Sequence, residues 1–187
     1  MPNAPIARAA PLLSLAGSLV AGGCASSPEA PSGPPSFPAG WEGTWSGELR
    51  AIGARAPMEV EMTLEVRPLE PGTWSWVITY SGAAGTQVRD YRLVAKDPAA
   101  GRYEIDERNG IVIPVRWLDG VLLGEFEVQG SRVAVREELR HADSGLVVEM
   151  ATYEAERPST SGGGAAPEVR AWSPGSLQRG TLLRRRR

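Results

Sequence analysis

Cysteine, histidine and lysine each occur once in this chain of 187 residues, and two phenylalanines stand against six tryptophans. A lone Cys24 leaves no set of cysteines to hold a metal. The lone His141 lies in Arg140-His-Ala-Asp143, a turn, where it reads as a solvated loop residue rather than a catalyst. No Gly-x-Ser-x-Gly elbow, P-loop or His-Glu-x-x-His occurs, so nucleophile-elbow hydrolysis, P-loop phosphate binding and zincin chemistry lose their usual carriers. No long segment has helical periodicity, and no apolar run is long enough to span a bilayer as a helix. The chain is therefore not read as an enzyme, and no cofactor or resident metal is expected.

What is present begins with a leader. Arg8 is followed by an apolar stretch from Pro11 to Gly23 that ends directly at Cys24, the layout of an export signal with its charged start, apolar stretch of about 7–15 residues and small residues before the cut. Ala21-Gly22-Gly23-Cys24 resembles the lipobox of bacterial lipoproteins. That resemblance implies a signal peptide over 1–23, fatty acylation of the Cys24 sulfur, cleavage before it and acylation of the new amino terminus. Such an anchor is effectively permanent, because each buried methylene contributes ~0.8 kcal/mol. In a host with two membranes, Ala25 after the cysteine implies the outer one. The expected location is the cell envelope, membrane-bound through lipid.

Residues 24–40 are rich in Pro and Ser and read as an extended tether. Residues 158–187 lack apolar periodicity and read as a disordered basic tail. With seven arginines from Arg157 onward against Glu168 alone, that stretch is near +6 within a chain of net −2. Such asymmetry can signal an anionic surface as partner, or only a solvated tail. Nineteen of the twenty Lys and Arg residues are arginine, which points to a coding bias rather than to phosphate recognition, and no specific nucleic acid is expected.

Between these ends, over 41–157, apolar and polar residues alternate. Trp41, Gly43, Trp45, Gly47 and Leu49 oppose Glu42, Thr44, Ser46, Glu48 and Arg50, and Met58 to Val66 and Trp74 to Tyr80 repeat the pattern. Period two marks half-buried strands. Asn109-Gly110, Asp119-Gly120, Gln129-Gly130 and Asp143-Ser-Gly145 supply turn chemistry between later strands. About nine strands follow at the ~8–12-residue spacing of an all-β sandwich or barrel. With no helix to cover open edges, the expected fold is all-β: an antiparallel up-and-down meander closing into a barrel of about 8–10 strands. A two-sheet sandwich is the alternative.

Gly43-Thr44-Trp45 in the first strand resembles the Gly-x-Trp signature of lipocalins and the wider calycin barrels, with Gly43 and Trp45 as the matching residues. The opening Trp41-Glu-Gly-Thr-Trp45, the meander, Tyr103 to Ile111 and Phe126-Glu-Val-Gln-Gly130 also resemble lipocalin-like domains of an uncharacterised family in exported bacterial proteins. The resemblance implies a lipocalin-like barrel and an arginine near the last strand lying over the first-strand tryptophan, with Arg136, Arg140 and Arg157 as candidates. Some such barrels hold haem through a strand histidine, but His141 has no family motif around it.

Strand parity places Trp45, Met58, Val60, Met62, Leu64, Trp74, Trp76, Ile78 and Tyr80 inside the barrel. Trp74 and Trp76 share one face and either fill the interior or line a cavity. Glu137 falls on the apolar register of Val133, Val135 and Leu139, and Thr152 lies likewise beyond Leu146, Val148 and Met150. A buried carboxylate must be paired or neutralised. It either orients a ligand, pairs with an arginine such as Arg92, or is turned outward at a bulge or strand end. Glu104, Asp106 and Glu107 form an acidic turn that reads as solvation or as a cation site. The candidate ligand-binding residues are thus Trp74, Trp76, Tyr80, Glu137 and Thr152. The expected function is binding of a small apolar or amphipathic molecule in the envelope, the alternative being an interaction module with a packed interior.

Overall fold

The structure is a computed structural model that describes residues 36–53, 58–140, 145–154 and 158–186. Cys24, the leader, the tether up to residue 35 and His141 lie outside the described residues. The alternating segments form β1 (Gly43–Gly53), β2 (Met58–Glu70), β3 (Thr73–Gly82), β4 (Gly85–Asp97), β5 (Arg102–Asp106), β6 (Val112–Leu118), β7 (Val121–Val128), β8 (Ser131–Leu139) and β9 (Leu146–Glu154). β10 (Ser159–Gly163), β11 (Ala166–Ala171) and β12 (Pro174–Arg184) follow. Strands β2 to β9 each pair antiparallel with their predecessor. β12 then inserts antiparallel between β9 and β1, closing a ring of ten strands. Closure removes the edges that an open meander would expose.

The strand that completes the ring comes from the stretch expected to be a disordered tail, and that expectation is overturned over 158–186. Inward positions of β12 carry Ser176, Gln178, Gly180, Leu182 and Arg184, of which only Leu182 is a large aliphatic side chain, so no apolar alternation announces the strand. β10 and β11 form a separate hairpin whose side chains are all exposed. Tight packing at the seam explains the glycines. A Cβ on Gly180 would stand 2.1 Å from the Glu48 carbonyl oxygen, and one on Gly47 would stand 2.3 Å from that of Thr181. Glycine is the residue that allows such close backbone approach in a bending strand.

The turns mostly follow their sequence chemistry. Asp119-Gly120 (φ 44°, 90°) and Gln129-Gly130 (φ 49°, 73°) both take the paired positive φ of a type I′ hairpin. Asn109-Gly110 does not. There the positive φ values fall on Arg108 and Gly110, within a longer loop. Asp106 Oδ1 accepts from the Arg108 N–H at 2.7 Å and Asn109 Oδ1 from that of Ile111 at 2.9 Å. Local side-chain acceptors thus replace the two-residue turn.

An up-and-down ring has two ends. The connections β1–β2, β3–β4, β5–β6, β7–β8 and β9–β12 lie at one, and the segment before β1 lies at the other. That segment plugs its end: Ala39–Trp41 is a short 3-10 turn, Trp41 is 0% exposed, and its ring contacts Trp76 and Trp117 at 5.8 Å each. Phe37 stacks on Trp117 at 4.5 Å and meets Tyr103 edge-on at 4.9 Å. A tether running to residue 40 is therefore too long, because Phe37 already belongs to the barrel. Aromatic rings fill this end with large apolar area.

Candidate binding site in the open half of the barrel

Register decides which side chains enter the barrel. β8 pairs with β7 and β9 through Ser131 to Leu139 without a bulge. Arg136 and Glu138 join in an ion pair on the outer face, so Val133, Glu137 and Leu139 point inward, where each is buried. Glu137 pairs laterally with Leu122 on β7 and Val148 on β9, both buried aliphatics.

Glu137 is 5% exposed, its Oε2 has no hydrogen-bond partner, and it belongs to none of the ion pairs among the described residues. Arg92 offers no partner, since it shares the outward register with Asp106 while its neighbour Leu93 is buried inside. Burial without a counter-charge pushes the Glu137 carboxyl up to about 7. Tyr80 stands on β3, five strands around the ring of ten and so on the opposite wall. Burial, with the Glu137 charge second, pushes its hydroxyl up to about 12. Tyr91 on β4 is raised by burial first and by Glu107 next, with Arg89 acting in the opposite sense.

These groups lie where the interior changes character. Towards the plugged end, Trp45, Leu49, Leu64, Val66, Leu93, Leu146 and Leu182 are at most 1% exposed. Towards the turn-rich end, the inward positions Tyr80, Tyr91, Ile105, Ile113, Phe126, Met150, Thr152 and Gln178 are only partly buried. A mid-strand side chain inside a filled barrel would be wholly covered, so solvent reaches part of the inner wall of this half, although Val133, in register between Phe126 and Thr152, is buried. These partly exposed inward side chains, aliphatic and aromatic with polar groups at Tyr80, Tyr91, Thr152 and Gln178, define the cup, and the unpartnered Glu137 carboxyl is buried in register between Leu122 and Val148.

The residues singled out from sequence divide between the two halves. Tyr80, Glu137 and Thr152 belong to the cup. Trp76 is 2% exposed and stacked with Trp41 in the dry half, and Trp74 donates its indole N–H to Glu42 Oε1 at 3.2 Å near the plug. Trp45 is 0% exposed and donates to the Trp41 carbonyl at 2.8 Å. The arginine over it is Arg184, on β12, with its guanidinium carbon 4.5 Å from the ring centroid. That corrects the three candidates: Arg136 pairs with Glu138 and Glu149, Arg140 lies 3.8 Å from Glu138, and Arg157 is outside the described residues. Tyr91, Phe126, Met150 and Gln178 were missed. The parity of their strands would have found all but Gln178, whose strand carries no pattern.

The acidic turn is committed elsewhere: Glu104 pairs with Lys96 at 3.2 Å, Asp106 caps the Arg108 N–H, and Glu107 accepts from Asn109 at 3.3 Å. Among the described residues no cluster of His, Cys, Asp or Glu side chains has the makings of a metal site. The outer wall carries a groove of about 580 Å³ whose lining includes Pro114, Leu118, Leu123, Ala134, Ala151 and Leu177.

No family model matches the sequence, and no curated protein matches it. Among solved structures, the chain is similar to a protein of unknown function from the DUF3598 family of Nostoc punctiforme, at 16% identity and a TM-score of 0.46. The match covers 79% of this chain and 48% of that one, so the chain spans about half the length of the structure it resembles.

Proposed function

We propose that this protein is an envelope lipoprotein, anchored through Cys24, whose barrel holds a small amphipathic molecule in its open half. The observation that carries the reading is the conjunction of partly exposed inward aromatic and aliphatic side chains with a buried, unpartnered Glu137 carboxyl. Mostly apolar concavities with a few convergent polar groups are the usual form of a small-molecule site. Phe37, near the start of the described residues, lies at the plugged end, opposite the mouth. The lipocalin-like resemblance of Gly43-Thr44-Trp45 favours the same reading.

The test is organic extraction and mass spectrometry of the full chain purified from membranes. A discrete small molecule should be released, and its amount should fall in a Phe126→Ala variant that stays folded. Incorporation of labelled palmitate, lost in Cys24→Ser, checks the anchor. If wild-type protein releases nothing and binds no apolar probe, the second reading gains. In that reading the outer groove, where Leu118 is 47% and Leu123 38% exposed, serves an interaction module.

A further inference from the structure

We infer that the occupant of the cup is a protonated amine carried on an apolar body, seated head-first with its N–H donors on Glu137. This rests on the cup reading and adds the ligand's chemical class and its orientation.

Two buried side-chain polar atoms lack a partner among the described residues, Trp41 Nε1 and Glu137 Oε2. The indole N–H is a donor locked in the plugged end; the carboxyl faces the cup. An ionised carboxylate only accepts hydrogen bonds, so its complement is a donor. A carboxylate or phosphate head would bring like charge and further acceptors against Glu137, whose register neighbours Leu122 and Val148 carry no side-chain donor.

Leu122 on β7, Val148 on β9 and, beyond it on the same register row, Gly180 on β12 and Leu49 on β1 give Glu137 no charged neighbour. Tyr80 is the titratable group that faces it from the opposite wall. Tyr91 and Arg89 also act on Tyr80, Tyr91 raising it and Arg89 lowering it, and Arg89 shares the inward register opposite Ile78, while Glu107 and Arg89 act on Tyr91 in opposite senses. Desolvated carboxylates are costly unless paired, and no basic side chain of the described residues supplies that pair. An alkylammonium brings both the charge and three donors, whereas an alcohol brings one donor and no charge. Tyr80 keeps its proton at neutral pH, so its oxygen can accept from the same head.

Glu137 is the ionisable group buried on the inward register, and Ile105, Ile113, Phe126 and Met150 supply most of the partly buried wall beside Tyr91, Thr152 and Gln178, so the apolar body extends towards the mouth. A ligand with its charged head at the rim would leave Glu137 unpaired and bury its own tail end against a carboxylate.

The experiment uses the full chain carrying Cys24→Ser, titrated by calorimetry with octylamine, octanoate and octanol between pH 6 and pH 8. The uncharged fluorescent probe N-phenyl-1-naphthylamine reports the cup independently. Octylamine should bind at least tenfold more tightly than octanoate at pH 8. Its affinity should rise roughly tenfold from pH 6 to pH 8, because Glu137 loses its proton across that range while an alkylammonium, ordinarily titrating near ~10.4, keeps its own. Glu137→Gln should abolish both the preference and the slope while the probe still binds; the wild-type slope stands as a readout that needs no variant. Octanoate binding as tightly as octylamine, with the probe bound, overturns the amine assignment and leaves the cup intact. Failure of the probe and all three ligands overturns the cup reading and the assignment with it.

Discussion

Arg184 and Trp45, partners in register across the β1–β12 seam, are also stacked, with the guanidinium 4.5 Å from the ring centroid. The same guanidinium donates to the Gly40 carbonyl at 2.6 Å. One side chain therefore ties together the first strand, the last strand and the plug. An exposed cation–π contact contributes ~0.5–1 kcal/mol and a hydrogen bond from a charged donor somewhat more. Arg184→Ala should lower stability by about 1–2 kcal/mol, seen as a shifted denaturation midpoint, with Arg184→Lys between it and wild type because Lys lacks the planar fork. An unchanged midpoint in Arg184→Ala would show the contact to be decorative.

Shortening the chain should have opposite effects at two places. Ending it after residue 158 removes β12, leaves β1 and β9 as unpaired edges and deletes Leu182, which is 0% exposed. That protein should aggregate or unfold without cooperativity. Replacing 159–171 by a short Gly-Ser turn should hardly move the melting temperature, since Tyr153 and Pro174 already pair and the hairpin side chains are exposed. Sedimentation and thermal melts of the two variants decide it; equal behaviour would contradict the ring order.

Stability should fall as pH rises from about 4.5 to about 7. The folded-state carboxyl of Glu137 is raised from 4.5 to about 7, so the native state holds a proton that the unfolded chain gives up across that window. Above it both states are ionised and the full cost of the buried charge is present, about 3 kcal/mol at 1.36 kcal/mol per unit. Glu137→Gln should therefore gain stability relative to wild type at pH 8 and little at pH 4.5. Urea midpoints of both proteins at the two pH values measure this, and a difference independent of pH would place the carboxyl in water.

Trp76→Ala and Phe126→Ala should separate the two halves of the barrel. Trp76 is 2% exposed against Trp41, so its removal should cost ~3–5 kcal/mol. Phe126 is only partly buried, and its loss should cost less while weakening probe binding several-fold. Equal destabilisation with no change in probe binding would mean that the interior is filled throughout.

Nine strands and the inward register of Glu137 were legible because one-sided burial writes period two into the chain. β12 was not legible, because its inward positions meet a close backbone approach at Gly180 and a tryptophan at Arg184 rather than an aliphatic core. The run Arg184 to Arg187 read as bulk charge, although its first member does a specific packing job. Phe37 was hidden in a Pro-rich context, yet it was the one aromatic of the tether and so the one residue there able to fill a barrel end. Asn109-Gly110 misled because Asp106 and Asn109 satisfy neighbouring N–H groups with their own side chains, which lengthens the loop. The division of the interior into a dry half and a wet half is invisible to parity, which assigns side chains to faces but not to depths.

The ring closes between the first strand of the barrel and the last, with Ser46 and Arg185 bonded across 139 residues of chain. During synthesis the meander β1 to β9 therefore emerges with both its borders unsatisfied, and β12 (Pro174–Arg184) is the strand that pairs with them. Contacts of such sequence separation fold late and slowly. Until that last strand is added the nascent barrel is an open, self-adhesive sheet, and its final dozen residues are what lock the cylinder.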